Sequence, residues 1–375
     1  MTALKRNQDA FFALVRAGLW GKGSLDIRID GTADWNYIYQ LTKEQSVQGL
    51  VLQGIEEFRA HGINLNIPKI IVLQWIGEVQ MIERRNKDMN AFIFELIEKL
   101  RKADIYTLLV KGQGIAQCYE KPLWRSCGDV DLFLSYDNYQ KAKSCLLPIA
   151  DHVDPEDTNK LHLAMTINSW VVELHGTMHT VISNKINRVL DYVQEAIFTH
   201  GEVRVWDNNG ADLYLPNPDN DIIIIFTHFI NHFYGEGVGI RQICDWCRLL
   251  WKYHSVIDNM RLKIRIEEMN LMTEWTSFAY FAVTYLGMPE KAMPLYVKSS
   301  SIKRKADHIC RIIIGTGNLG QNKDNSYRNT SSKFKSNIIT FWRRFREFSL
   351  IATIFPENAP KFFVTYVYGR VKALL

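Results

Sequence analysis

The sequence predicts an α+β protein, mainly helical, in which a small α/β core with a mixed sheet of about four to five strands is flanked by N- and C-terminal helical segments. Three observations carry this. Apolar residues recur at helical spacing up to about residue 102, β-rich runs replace them from 105 to 175, and helical spacing returns from Asp219. The segments expected are 1–102 helical, 103–180 the α/β core, 181–330 helical with a short hairpin near 202–215, and 331–375 a basic, aromatic C-terminal segment.

The elements follow in order. Phe11, Phe12, Leu14 and Val15 form a helical stripe. Pro68 marks a helix start, and the run to Arg101 keeps helical spacing, with Glu83, Arg84, Arg85, Lys87 and Asp88 on a solvated face. Residues 105–110 are continuously β-rich, as a buried central strand is. Gly112 ends that strand, and 115–119 suits a short helix. Residues 129–134 form the second strand and 136–147 a second helix; 161–167 and 170–175 are strands about an Asn168-Ser169 turn. Residues 202–206 and 211–215 flank Asp207-Asn208-Asn209-Gly210, a hairpin signal. Helices are expected over 219–234, 238–252, 260–269, 273–286 and about 300–315, followed by a loop rich in Gly, Asn and Ser over 316–333.

The 375 residues carry ten Trp, sixteen Tyr and nineteen Phe, enough for a sizeable core, and a net charge of +5. From Ser331 onward eight basic residues face two acidic ones, so the body is nearly neutral and the tail is basic. Phe341, Trp342, Arg343, Arg344, Phe345 and Arg346 could touch nucleic acid or an anionic membrane surface, or pack as an amphipathic helix; nothing else indicates nucleic acid. The longest uncharged apolar stretch, fifteen residues between Glu274 and Glu290, is too short to span a bilayer. The N-terminus has no apolar core of signal-peptide length, and the six cysteines show no framework spacing. A cytoplasmic protein with free thiols is expected.

The chemistry concentrates in Lys111-Gly112-Gln113-Gly114 and Gly128-Asp129-Val130-Asp131-Leu132-Phe133-Leu134. Residues i and i+2 of a strand share a face, so Asp129 and Asp131 stand together with Phe133, opposite Val130, Leu132 and Leu134. Aspartate is depleted in strands. Two unit charges ~4 Å apart repel by roughly 4 kcal/mol at an effective dielectric of 20. A divalent cation would offset that repulsion, since hard cations take carboxylate oxygens. On 170–175, Val171, Glu173 and His175 share one face.

A glycine at a strand end, a helix, a strand with Asp-x-Asp and a third acid on a later strand is the order of the nucleotidyltransferase superfamily typified by DNA polymerase beta. The stretch LLVKGQGIAQCY, an Arg shortly before GDVDLFL, and VVELHG more closely resemble a bacterial family of uncharacterised nucleotidyltransferases, best between about 105 and 176. The abortive-infection toxin nucleotidyltransferases have a similar pattern. The resemblance implies transfer of a nucleoside monophosphate from an NTP to a hydroxyl acceptor (a small molecule, sugar, protein or RNA). It implies a two-metal enzyme, with two Mg²⁺ (or Mn²⁺) ions bridged by Asp129 and Asp131, and Glu173 holding the metal on the acceptor side, all three as catalytic residues. It also implies a phosphate site from Lys111, Gly112, Gln113 and Arg125, with His175 lining the site. Gln113 stands where the superfamily usually has Ser. A catalytically inactive nucleotide-binding scaffold and a toxin acting on tRNA are the alternatives.

Other motifs receive plainer readings. His228 and His232 are four apart on a helix, a zinc-compatible spacing, but no Glu follows His228, and packing is expected. Cys244-x-x-Cys247 lacks a second pair and is read as structural. Arg241 and Asp245 are read as an intrahelical pair. Gly112-x-Gly114 lacks the third glycine of a dinucleotide fingerprint, with Gln117 in its place.

Overall fold

The computed structural model describes residues 2–21, 25, 33–320 and 333–372. The N-terminal segment is helical as expected: α1 (Ala3–Trp20), α2 (Trp35–Glu44), α3 (Gln48–Ala60) and the 34-residue α4 (Lys69–Lys102), with Pro68 as its N-cap. Thr2 caps α1 by accepting from the Lys5 amide.

The chain then builds β1 (Leu108–Val110), α5 (Gly112–Ala116), β2 (Asp129–Phe133), α6 (Tyr136–Leu146), β3 (His152–Val153), β4 (His162–Ile167) and β5 (Trp170–His175). After α7 (Asn184–Phe198) come β6 (Val203–Asn208) and β7 (Ala211–Pro216). All seven strands form one mixed sheet in the order β3-β4-β5-β2-β1-β7-β6. The β2–β5 and β1–β7 pairs are parallel and the other four are antiparallel.

The sheet is therefore larger than the four to five strands expected. The 203–216 hairpin, placed by its sequence position within the helical segment, docks on the free edge of β1, with Leu108 opposite Tyr214. Leu213 and Leu215 continue the apolar surface begun by Leu109, which is what draws the hairpin in. Both hairpins turn on residues with positive φ at their two central positions, Asn168 and Ser169 (49° and 68°) and Asn209 and Gly210 (56° and 90°). That is the twist-matched two-residue turn.

Each face of the sheet is buried. Leu109, Val130, Leu132, Leu134, Val172 and Leu174 pack beneath α6 and the second half of α4. Leu108, Val110 and Phe133 point the other way, into the core shared with the remaining helices. Each fully buried Leu or Phe there contributes about 1.5–3 kcal/mol.

That second core is built on α8 (Pro218–Tyr234), α9 (Ile240–Tyr253), α10 (Asn259–Glu268), α11 (Met272–Leu286) and α12 (Ser300–Thr316). At its centre Trp275 lies 4.7 Å from Phe226 and 4.8 Å from Trp246, ring centre to ring centre. The Gly-, Asn- and Ser-rich loop expected over 316–333 falls mostly outside the described residues. The basic tail forms α13 (Lys333–Ile354) and α14 (Ala359–Lys372). They meet through Phe348 and Phe362, while Trp342 and Phe345 are exposed. Among the described residues no helix is long and apolar enough to cross a membrane. All six cysteines are free.

Candidate active site

Sheet register assembles the site. In the parallel β2–β5 pair Asp131 stands opposite Glu173 and Phe133 opposite His175. In the antiparallel β4–β5 pair His175 stands opposite His162. The three acids expected from separate positions in the chain thus converge on the sheet face that looks toward α8. Asp129, Asp131 and Glu173 line one cavity of about 280 Å³, closed on the helical side by His228, His232 and Arg241.

The chain supplies a cation of its own to the acid cluster. Lys111 follows β1 with φ 56° and ψ −141°, a conformation that strains a residue bearing a Cβ by about 1–3 kcal/mol. This directs its side chain onto the face of the acids, where Nζ lies 2.7 Å from Asp131 Oδ1. His175 Nε2 lies 2.8 Å from the same oxygen. Gly112, at φ 33°, follows at a point where a Cβ would come within 3.2 Å of Cys127 Sγ and 3.4 Å of the Asp129 carbonyl. Glycine is needed for that close approach.

The charges are unevenly satisfied. Burial disfavours the Asp131 carboxylate, but the Lys111 charge and the His175 hydrogen bond outweigh it and hold its pKa low. Burial likewise opposes the Glu173 carboxylate, yet hydrogen bonds from His162 (3.2 Å) and His175 (3.4 Å) keep it ionised well below the usual range. Burial works against the Lys111 ammonium too, but Asp131 and Glu173 together raise its pKa. Asp129 is the exception. Its side chain has no hydrogen bond or ion pair among the described residues, and the charge of Asp131, with burial, pushes its carboxyl up to about 6.

Two residues expected at the phosphate site meet a different environment. The Gln113 side chain is buried and donates to Asn86 Oδ1 of α4 at 2.8 Å. It lies on the far side of the turn from the cavity, because α5 turns residue 113 toward α4. Arg125 lines the cavity but is paired with Asp245 at 2.6 Å, and the Tyr119 hydroxyl donates to the same carboxylate. Asp245, despite burial, raises the Arg125 pKa.

Asp245 is therefore not the intrahelical partner of Arg241. Arg241 instead donates to the Ser126 carbonyl at 2.9 Å, and its buried Nε has no partner. Burial, and then the nearby Arg125 charge, lower its pKa. The imidazoles of His228 and His232 are also held neutral, first by burial; Lys111 adds its positive charge to the effect on both.

His228, His232 and Arg241 on this cavity, and His162 beside Glu173, are residues that the sequence reading did not assign to the site. For His162 a signal existed. A two-residue turn at Asn168-Ser169 fixes the register that sets residue 162 against 175. For the others the place on the cavity is set by how α8 and α9 cross the sheet.

Strand-borne carboxylates at a glycine turn thus share one cavity with a buried lysine and an arginine that has no ion pair among the described residues. A family model described as uncharacterised nucleotidyltransferase matches residues 31–287, and the chain belongs to that family. Membership supports nucleotidyl transfer as the general class of activity. No curated protein and no solved structure matches the chain.

Proposed function

We propose that the chain is a divalent-metal-dependent transferase that moves a nucleoside monophosphate from an NTP to a hydroxyl acceptor. The acceptor oxygen attacks the α-phosphorus, the bond to the pyrophosphate oxygen breaks, and the hydroxyl proton leaves to solvent. The observation that carries this reading is the unpartnered Asp129 beside Asp131 on a cavity that also holds the unpartnered Nε of Arg241.

The donor set suits a hard cation. Two carboxylates on one strand face are a Mg²⁺ or Mn²⁺ arrangement, and the raised Asp129 pKa is the mark of negative charge not yet compensated. Bound by Asp129 and Asp131, such an ion supplies charge neutralisation of the triphosphate and of the leaving pyrophosphate. Arg241 offers guanidinium hydrogens to the same anion. Lys111 can turn from Asp131 to the phosphates. Glu173, kept ionised by its two histidines, would help hold a metal on the acceptor side, where the ion would acidify the acceptor hydroxyl.

A second reading, a nucleotide-binding scaffold without turnover, is favoured by one observation: the Lys111 ammonium already sits on Asp131, where a metal would bind. One experiment separates the two. Wild type and Asp129→Asn are incubated with each of the four NTPs and Mg²⁺, and pyrophosphate release and thermal stabilisation are followed. Saturation at a hundredfold excess over the dissociation constant stabilises by about 2.7 kcal/mol. Transfer requires Mg²⁺-dependent pyrophosphate release that the variant loses. NTP stabilisation without release, unchanged in Asp129→Asn, would establish the scaffold.

A further inference from the structure

We propose that His162, Glu173 and His175 form a second cation site, selective for a borderline transition-metal ion such as Zn²⁺ over Mg²⁺. It shares Glu173 with the transfer site described above but does not depend on that activity. The fold brings the three side chains to one point. His162 and His175 are directly opposite across β4 and β5, so their side chains leave the same face. Glu173 lies two residues from His175 on that face.

The distances suit coordination. His162 Nε2 is 3.2 Å and His175 Nε2 3.4 Å from one and the same Glu173 oxygen. A tetrahedral shell with metal–ligand bonds of about 2.0–2.1 Å has edges of about 3.3 Å. All three donor atoms lie within 4.8 Å of one another. The two rings are 4.8 Å apart, centre to centre, and each presents its Nε2 to the same Glu173 oxygen.

Hydrogen bonding alone serves this cluster poorly. His175 Nε2 faces Asp131 Oδ1 at 2.8 Å as well as Glu173 Oε2, and one ring nitrogen carries at most one proton. A cation between the imidazoles and Glu173 satisfies all three donors at once. Two imidazoles and one carboxylate are a set that zinc and its neighbours favour, whereas Mg²⁺ keeps to oxygen. The remaining coordination position opens into a cavity of about 220 Å³, lined also by Lys160, Thr177 and Asn231. The site is thus an open one, able to hold water or a substrate oxygen.

The test uses the full chain, stripped with a chelator and titrated with Co²⁺ as a spectroscopic stand-in for Zn²⁺. One equivalent is expected, with the intense visible absorption of four-coordinate Co²⁺. It should persist in millimolar Mg²⁺ and in Asp129→Asn, and be displaced by Zn²⁺. His162→Ala and His175→Ala should weaken it by roughly 100-fold or more, since losing even an outer-shell partner weakens metal sites by about 10–100-fold. His162 is one-third exposed, so its variant should melt like wild type and decides the matter alone if His175→Ala misfolds. No four-coordinate absorption, displacement by Mg²⁺, equal loss in Asp129→Asn, or an undiminished signal in His162→Ala would each overturn the proposal. Loss of transfer in Asp129→Asn with Co²⁺ binding intact keeps the two sites distinguishable.

Discussion

Lys111 Nζ sits 2.7 Å from Asp131 Oδ1, and both side chains are almost fully buried. The strand pair of aspartates therefore does not wait for an external ion to be tolerated in the core: the chain carries one positive charge to it on a strained residue. On the proposed function, a divalent ion would have to compete with that ammonium for the same oxygen.

Replacing the ammonium by an apolar isostere separates its two effects. Lys111→Met leaves Asp131 buried without its cation and should destabilise the metal-free protein by about 3–5 kcal/mol at neutral pH. In the absence of nucleotide, Mg²⁺ should bind roughly tenfold more tightly to the variant, about 1.4 kcal/mol. Chemical denaturation and calorimetric Mg²⁺ titration check the two parts, and unchanged Mg²⁺ affinity would rule out the competition.

Asp129 titrates in the opposite sense to its neighbours. Its pKa is about 6 in the folded protein against an ordinary 3.8, so the folded state holds this proton more tightly than the unfolded one. Its contribution to stability is therefore unfavourable. It grows as pH rises from about 3.8 to about 6 and stays constant above. Asp129→Asn should thus stabilise the metal-free protein by about 1–3 kcal/mol at pH 8, while abolishing transfer. The gain should vanish in acid, as denaturant midpoints across pH will show. Mg²⁺ binding to wild type should strengthen as pH rises through about 6 and release a proton, a change visible by calorimetry in buffers of different ionisation enthalpy.

Gln113 offers a test of local likeness against packing. Restoring the superfamily's serine, Gln113→Ser, would leave Asn86 Oδ1 without its donor and open a small void under α4. A loss of about 1–3 kcal/mol is expected, with no gain in NTP affinity. Tighter NTP binding in the variant would return residue 113 to the phosphate site.

The two arginines on the cavity should separate cleanly. Arg125→Met strands the buried Asp245 carboxylate and should destabilise the fold by about 3–5 kcal/mol. Arg241→Met removes no ion pair, so it should leave the melting temperature nearly unchanged and raise the KM for NTP. Equal effects on stability would remove the distinction between a structural and a substrate-facing arginine.

Much of this was legible in the sequence, and the limits have physical causes. The change of period at 105 and its return at 219 located the sheet and the helices, and strand alternation put Asp129 and Asp131 on one face. That Glu173 joins the two aspartates was implied by the family resemblance, and it rests on the parallel register that sets Asp131 opposite Glu173. What could not be read was long-range. The partner of Arg125 is Asp245, 120 residues away, and local spacing favoured Arg241 for that role. Gln113 was judged by its neighbours in the motif, but its side chain is governed by Asn86 on α4. The hairpin at 203–216 showed its turn but not the sheet edge it would join.

That last docking decides how the chain can be divided. Because β7 completes the hydrogen bonding of β1, a fragment ending near residue 180 would leave a bare backbone ribbon beside Lys111 and lose the ceiling that α8 places over the carboxylates. Dissections that stop short of β7 should yield sticky, self-pairing material.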